Sequence, residues 1–277
     1  MRRKISSKFH GGVAVAVLAG AVAVAALATG PGAVKAGIIY SDQFNRGSEV
    51  SPVPLNGTTP TTDPSLAPWS VVPTSSPLTT NGTEAVFGGT TPNPAPYAAY
   101  LPVTLTGTGH LGTYTLSVTL IPTANSTDMD WLAMGFGNTA GGGEINSTGT
   151  EAWALYRENG QVQSFYGGAT GNGVTSSTSA TPGTADTFTI TINSSTGAAS
   201  IVDTLGLVSR AFTLTSTEMG NVNAVIIGKF NTATGDAQNL TLTYTTPVPE
   251  SATLGLLGVG GLGLLLVGPR RKQKTNP

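Results

Sequence analysis

The sequence predicts an all-β fold, an antiparallel β-sandwich, and three observations favour it. Apolar and polar residues alternate in many short segments, helical periodicity is nearly absent, and turns rich in Gly, Asn and Ser separate the segments. In Thr113–Leu120, for example, every second residue from Tyr114 onward is apolar. Such alternation is typical of antiparallel strands that place one face on a core and the other in solvent.

Thirteen segments carry this strand signature within residues 37–246, and no linker divides that stretch. So many short strands predict two packed sheets in one domain. The segments are Ile38–Phe44, Trp69–Val72, Ala85–Phe87, Tyr97–Leu105, Thr113–Leu120, Trp131–Phe136, Ala152–Arg157, Val162–Tyr166, Asp186–Ile192, Ala199–Asp203, Val208–Leu214, Ala224–Phe230 and Leu240–Tyr244.

Two turns have specific chemistry. Asn159-Gly160 lies between two strand segments and predicts a tight hairpin, because both residues tolerate positive φ. Asn193–Gly197 predicts a second hairpin, with glycine available for the left-handed position.

Residues 1–36 have the layout of a secretory signal peptide. Basic residues at the start precede the apolar run Val13–Ala28 and a small-residue site ending at Ala36. Cleavage is expected between Ala36 and Gly37, and the alternative is an uncleaved membrane helix. This segment predicts export through a secretion translocase and a signal peptidase.

Residues 247–277 have a three-part pattern. The motif 248–251 comes first, an apolar Leu- and Gly-rich run spans 252–268, and a basic tail occupies 269–277. A helix over the apolar run would be about 25 Å long, within the lower range for a membrane span. A basic cluster after such a span is expected to stay cytoplasmic. The motif and the cluster are Val248, Pro249, Glu250, Ser251 and Arg270, Arg271, Lys272.

These residues resemble a PEP-CTERM sorting signal. That family has a Pro-Glu-Pro motif, a short transmembrane helix and an Arg-rich tail, and this chain has Ser251 in place of the second proline. The resemblance implies an exosortase-type processing enzyme as partner. It also implies a transient inner-membrane intermediate, followed by release to the cell surface or an exopolysaccharide matrix. The alternative is an ordinary tail anchor.

The strand-rich middle resembles a laminin-G-like, concanavalin A-like jelly roll. The residues that carry the resemblance are Ser41–Arg46, Leu55–Gly57, Trp69, Ala152–Gly160 and Asn239–Leu242. The resemblance implies a single jelly-roll domain over residues 37–246. A signal helix and a transmembrane helix would flank it.

The charges of the chain are segregated. All 14 acidic residues lie between Asp42 and Glu250, and that stretch holds only four basic residues, a net charge of −10. Nucleic-acid binding is therefore excluded for this domain, because it lacks the cationic surface that phosphate contacts require.

Few residues of the domain suit catalysis. His110 is its single histidine and the chain has no cysteine, so a zinc site cannot be assembled. The best glycoside hydrolase candidate is Glu144 with Glu151, since paired carboxylates are what that chemistry needs. These two residues have opposite parity on a regular strand, and the residues between them are typical of a loop. The protein is therefore expected not to be an enzyme.

Calcium is the ion that the sequence favours, and no other cofactor is expected. Asp128 and Asp130 alternate just before Trp131–Phe136, and Asn125 and Ser126 add oxygen atoms nearby. The alternative is an acidic turn before a strand.

Carbohydrate binding is the remaining activity that the residues suggest. Aromatic side chains flank the hairpin at Asn159-Gly160, but strand aromatics more often belong to a core. Trp153 shares parity with Leu155, whereas Tyr156 lies on the opposite face; the aromatics are Trp153, Tyr156, Phe165 and Tyr166. The sequence thus predicts an exported, non-enzymatic surface or matrix protein. A carbohydrate-binding module of the same location is the alternative, and a glucan hydrolase is the third.

Overall fold

The computed structural model confirms the antiparallel β-sandwich. It describes residues 36–44, 53–63, 67–72, 78–88, 97–107, 109–126, 129–139, 145, 149–168 and 172–246. Residues Lys35–Pro247 form one compact unit. The predicted signal helix and transmembrane helix lie outside the described residues, as do the sorting motif and the basic cluster. In the part of the chain that is described, no helix has the length and apolar character of a membrane span.

Sixteen strands and one short helix make up the described part of the domain. Each of the thirteen predicted segments overlaps a strand. The strands are β1 (Ala36–Asp42), β2 (Val53–Pro54), β3 (Ser70–Val72), β4 (Leu78–Thr80), β5 (Ala85–Phe87), β6 (Tyr97–Pro102), β7 (Thr113–Pro122), β8 (Trp131–Gly137), β9 (Thr150–Arg157), β10 (Val162–Tyr166), β11 (Val174–Thr175), β12 (Asp186–Asn193), β13 (Ala198–Asp203), β14 (Ser209–Thr213), β15 (Ala224–Phe230) and β16 (Gly235–Thr245). The helix is α1 (Ser216–Asn221).

Two sheets form the jelly-roll sandwich. The nine-stranded sheet has the order β14-β13-β12-β7-β16-β5-β4-β2, with β1 also paired to β16. The seven-stranded sheet has the order β11-β10-β9-β8-β15-β6-β3. Both predicted hairpins are present: β9 pairs β10 across Gly160, which has φ of 85°, and β12 pairs β13 across Gly197, which has φ of 73°.

The nine-stranded sheet has one buried and one solvent-facing surface. Burial alternates along β7 and β12, as the sequence pattern predicts. Leu116 and Ile190 are opposite each other in the ladder and both are fully buried in the core between the sheets. On the outer surface Thr119 and Thr187 are cross-strand neighbours, and their hydroxyl oxygens are 2.8 Å apart.

The central strands of the seven-stranded sheet, β8, β9 and β15, are buried on both faces. All seven residues of β8 are buried, and so are the first seven of β9. The outer face carries a second apolar cluster, in which Trp131 stacks on Phe230 and Trp153 stacks on Phe165. Ile145 belongs to the same cluster. Two-sided burial explains why these strands are almost continuously apolar.

The start of the domain is held by the carboxylate of Asp42, which is fully buried. Its Oδ1 accepts hydrogen bonds from the Phe44 amide at 2.7 Å and the Thr61 hydroxyl at 3.2 Å. Its Oδ2 accepts from Trp69 Nε1 at 2.7 Å. Phe44 has a positive φ of 55° and its ring centroid lies 6.0 Å from that of Trp69. One carboxylate therefore joins β1 to the residues that precede β3.

The single described helix has a capping box. The Glu218 amide donates to Thr215 Oγ1 at 3.2 Å, and the Thr215 amide donates to Glu218 Oε2 at 2.6 Å. The spacing Thr-x-x-Glu is the sequence signal for this helix start. This short helix was not predicted from the sequence, because six residues are too few to establish helical periodicity.

We expect Asp42→Ala to lower the free energy of unfolding by about 3 kcal/mol, because three donors lose a buried charged acceptor. Trp69→Phe keeps most of the ring and removes one donor, so the loss should be about 2 kcal/mol. Urea unfolding followed by fluorescence measures both. Equal stability of wild type and Asp42→Ala would contradict the anchoring role.

Asp186 makes the stability depend on pH. Burial, with Asp203 beside it, raises the pKa of Asp186 from 3.8 to about 6. A carboxyl whose pKa is raised on folding stabilises the fold at low pH, so this contribution is complete below pH 4 and is lost as pH rises through 6. The contribution of Asp186 should fall by on the order of 2 kcal/mol between pH 4 and pH 8, so wild type should lose at least that much. Asp186→Asn should lose measurably less, and identical pH profiles would refute the assignment.

Candidate functional site

A polar cleft lies where the neighbour of β16 changes from one strand to another. One edge of β16 pairs with β7, and the other edge pairs with β1 from Leu240 to Thr245 and with β5 from Gly235 to Ala237. Gln238 and Asn239 lie between these two ladders and pair with neither β1 nor β5. The discontinuity leaves an opening in the sheet on that side of β16.

A β-bulge directs side chains into this opening. The register between β16 and β7 shifts between Gln238 and Thr241, so β16 has one extra residue there. Asn239 has a positive φ of 50°, which is uncommon outside glycine and is best tolerated by asparagine. Bulges of this kind are over-represented next to active sites because they re-aim a side chain.

The cleft has a volume of about 350 Å³ and a polar lining. It is lined by Gln43, Thr83, Glu84, Gln238 and Asn239. Glu84 organises the lining, because its Oε2 accepts from Asn81 Nδ2 at 3.0 Å and its Oε1 accepts from Gln238 Nε2. Two glutamines and an asparagine therefore present donors and acceptors side by side.

The electrostatics of the cleft are acidic. Burial of Asp236, together with the nearby Glu84, raises the pKa of Asp236 to about 6. The described lining contains no basic side chain. Such a site suits a neutral ligand that both donates and accepts hydrogen bonds, and it disfavours an anion.

A second cleft, of about 310 Å³, has a more apolar lining that includes Ile39, Pro102 and His110. His110 Nδ1 lies 3.3 Å from the hydroxyl of Tyr114. That hydroxyl also donates to the carbonyl of Thr104 at 3.1 Å, and burial raises the pKa of Tyr114 to about 12. The imidazole of His110 therefore contacts the Tyr114 hydroxyl, and the Ser194 hydroxyl donates to the main-chain carbonyl of His110 at 2.7 Å.

The aromatic residues of the hairpin divide as their parity predicts. Trp153 and Phe165 lie in the outer apolar cluster, whereas Tyr156 is in the core between the sheets. Tyr166 is partly exposed, but its ring stacks on Phe212 and lies 4.6 Å from the guanidinium of Arg210. These four aromatics therefore pack the sandwich, and none lines the polar cleft.

Asp130 is held by the β15–β16 loop. Its carboxylate accepts from Asn231 Nδ2, the Thr232 amide and the Thr232 hydroxyl, the last at 2.6 Å. The buried Lys229 lies nearby and donates to the carbonyl of Ala233 at 2.8 Å. Asp128, its predicted partner for calcium, lies outside the described residues. No group of three or more His, Cys, Asp or Glu side chains placed to hold a metal ion occurs in the described parts of the chain.

Of the two carboxyl residues in the hydrolase hypothesis, the structure describes only Glu151. Glu151 lies in β9 and is 2% exposed, whereas Glu144 lies outside the described residues. Burial raises the pKa of Glu151, and the like charge of Glu218 adds to that effect. Among the described residues, the carboxyl that acts electrostatically on Glu151 is that of Glu218 in α1, far along the sequence.

Sequence comparison finds no related family. No protein-family model matches the chain, and no curated protein matches it.

Several solved structures are similar at low identity. Arcelin-5, a lectin-like defense protein from Phaseolus vulgaris, is 12% identical over 61% of this chain and 89% of its own, with a TM-score of 0.45. Lectin II from Ulex europaeus is 11% identical over 58% of this chain and 87% of its own, with a TM-score of 0.43. Alginate lyase A1-II′, of polysaccharide lyase family 7, is 14% identical over 60% and 82%, with a TM-score of 0.41.

Glu84→Gln should lower the pKa of Asp236, because it removes a like charge from the cleft. The pKa should stay above the ordinary value of 3.8, since the larger cause, burial, is unchanged. Titration of the side-chain carboxyl by carbon-13 NMR measures this shift. An unchanged Asp236 titration would show that the Glu84 charge does not act on Asp236.

Proposed function

We propose that this protein is exported and binds glycans without catalysing a reaction, and that a neutral oligosaccharide occupies the polar cleft beside β16. The observation that carries the proposal is the bulge at Asn239, whose positive φ directs an amide into an opening lined by further polar side chains. Uncommon backbone conformations of this kind cluster at ligand sites.

The lining matches the chemistry of a sugar. Each sugar hydroxyl can donate and accept, and the amides of Gln43, Gln238 and Asn239 offer both functions on one planar group. The carboxylate of Glu84 adds a strong acceptor that two amides already hold in place. A volume of about 350 Å³ suits one or two sugar rings.

Charge selects the class of glycan. Between Gly37 and Glu250 the chain has a net charge of −10. Three of its four basic residues, Arg157, Arg210 and Lys229, hydrogen-bond to main-chain carbonyls within the domain. A neutral hexose polymer should therefore bind better than a uronate polymer, because carboxylates on the ligand would meet an acidic surface.

The proposed location of the protein rests on the sequences of its two terminal segments. The sequence of residues 1–36 supports export, and residues 247–277 support sorting by an exosortase-type enzyme to the surface or matrix. The first and last strands lie together, with Ala36 opposite Thr245, so both segments join the domain at neighbouring positions.

Sorting is tested by deletion of residues 248–277. We expect the truncated protein to miss the surface or matrix fraction and to accumulate in a soluble fraction. A variant with Pro249→Ala and Glu250→Ala keeps the apolar segment and alters only the motif. It therefore separates the effect of the motif from the effect of losing the segment. An unchanged distribution of the deletion variant would refute the sorting proposal.

Glycan binding is tested on an array of neutral and acidic oligosaccharides, followed by calorimetric titration of the best ligand. Asn239→Gly keeps the positive φ and removes the amide, so the affinity should fall about tenfold for the loss of one or two hydrogen bonds. Asn231→Gly is the matched control, because Asn231 also has a positive φ, of 56°, but contacts Asp130. Equal losses in both variants, or no binding to any glycan, would contradict the proposal. Release of reducing ends would instead indicate an enzyme.

A further inference from the structure

Met129 is the most exposed methionine that the structure describes. The chain has no cysteine and four methionines, so thioether groups are its only sulfur chemistry. Met129 is 50% exposed, whereas Met134 is fully buried and Met219 is 8% exposed. Met1 lies outside the described residues. Among the described methionines, Met129 is therefore the one that a solute can reach without any opening of the fold.

The thioether of Met129 accepts a hydrogen bond from a side-chain amide. Asn159 Nδ2 lies 3.0 Å from Met129 Sδ. The other end of that amide fixes its orientation, because Asn159 Oδ1 accepts from the Gln161 main-chain amide at 3.0 Å. The nitrogen of Asn159, rather than its oxygen, therefore faces the sulfur. A thioether sulfur has two lone pairs, and this contact engages one of them.

Both partners of this contact are anchored to the backbone near the β9–β10 hairpin. The main-chain carbonyl of Met129 accepts from Arg157 Nη1 at 2.8 Å. Asn159 lies in the turn, which the Gly160 amide closes by donating to the carbonyl of Arg157 at 3.0 Å. The two faces of the sulfur atom consequently differ, although the side chain is half exposed.

We propose that Met129 is a site of oxidation by hydroperoxides, and that the amide of Asn159 selects which of the two sulfoxide epimers forms. The lone pair that accepts from Asn159 is engaged, so the other lone pair reacts. The site is separate from the polar cleft and does not depend on the proposed glycan binding.

The reaction needs only the thioether and the hydroperoxide. The free lone pair of Sδ attacks the terminal oxygen of the hydroperoxide, an S–O bond forms, and the O–O bond breaks. Sulfur is oxidised by two electrons, and the hydroperoxide is reduced to an alcohol, or to water when it is hydrogen peroxide, whose departing oxygen keeps a proton. The product is methionine sulfoxide, a polar and chiral group.

The position of Met129 allows the fold to tolerate this product. The new oxygen lies on a half-exposed side chain, where water can hydrogen-bond to it. The same oxygen on Met134 would place a polar atom without a partner in the core between the sheets. Sulfoxide keeps one lone pair on sulfur, so the contact with Asn159 can persist after the reaction.

Limited oxidation of the purified full-length protein with hydrogen peroxide tests the site. Mass spectrometry of proteolytic peptides gives the rate of sulfoxide formation at each methionine. Met129 should react at least about tenfold faster than Met134 and Met219, because those two must wait for the fold to open. In concentrated urea the three rates should become similar. Comparable rates in the native protein, or a difference that urea leaves unchanged, would contradict the proposed site.

The ratio of the two epimers tests the role of Asn159. Peptides from the oxidised protein are treated, in a dithiol buffer, with the two methionine sulfoxide reductases, each of which reduces one epimer. One enzyme should restore about three times more Met129 than the other, because attack through the engaged lone pair must first break a hydrogen bond.

Asn159→Asp is the decisive variant. It removes the Nδ2 donor, keeps Oδ1 as an acceptor for the Gln161 amide, and leaves Asp-Gly, a pair that also suits a tight hairpin turn. The two epimers should then form in nearly equal amounts. Asn193→Asp is the matched control, because Asn193 Oδ1 accepts from the Ser195 and Thr196 amides in the other hairpin. This control should keep the excess of one epimer.

Two results would overturn the role of Asn159. One is an equal yield of both epimers in the wild type, which would mean that the amide leaves both lone pairs equally reactive. The other is an excess that persists in Asn159→Asp, which would assign the selection to a different neighbour of the sulfur.

Discussion

The pairing of β16 with three other strands is the constraint on which the nine-stranded sheet depends. β16 is 11 residues long, and β7 occupies one edge along most of that length. The other edge is divided between β1 and β5, which cannot occupy the same residues. The gap between them at Gln238 and Asn239 follows from this division, and the bulge with its positive φ accommodates it. The same pairing brings the first and last strands of the domain together.

The central strands of the seven-stranded sheet are buried on both faces, so their side chains pack rather than line a polar cleft. Its outer face is an apolar cluster in which tryptophan and phenylalanine rings stack across β15, β8, β9 and β10. These rings stabilise the sandwich by removing large apolar surfaces from water. The polar cleft is accordingly found in the other sheet, beside β16. The basic side chains also have structural contacts, since each donates a hydrogen bond to a main-chain carbonyl; they are Arg157, Arg210 and Lys229.

The fold was predictable because, in most strands, the order of apolar and polar residues follows which side chains are buried. The alternation along β7 and β12 predicts both their existence and their faces. Three strands were missed, namely Val53–Pro54, Leu78–Thr80 and Val174–Thr175, because two or three residues are too short to show a period. The opening of β6 was predicted correctly, but its pairing ends at Pro102, since proline cannot donate to a ladder.

The candidate sites were predictable only in part. Glu151 was selected from the sequence as an acid worth attention, but with Glu144 as its partner. Glu144 lies outside the described residues; among the described residues, Glu218, 67 residues along the chain, acts electrostatically on Glu151, and only the fold brings these two together. The polar cleft was not predicted at all, because Gln43, Glu84 and Asn239 come from three strand regions and meet only through pairing with β16. Its one sequence signal is an asparagine inside a strand, a residue that strands disfavour.

The gap in the ladder beside β16 is the proposed binding site. Backbone amide NMR of the isotope-labelled protein, recorded while a neutral oligosaccharide is added, locates the residues that bind it. We expect the largest shifts at Gln43, Glu84, Gln238 and Asn239, with the outer apolar cluster around Trp153 unchanged. Shifts concentrated on that cluster, or no shifts with any neutral oligosaccharide, would contradict it.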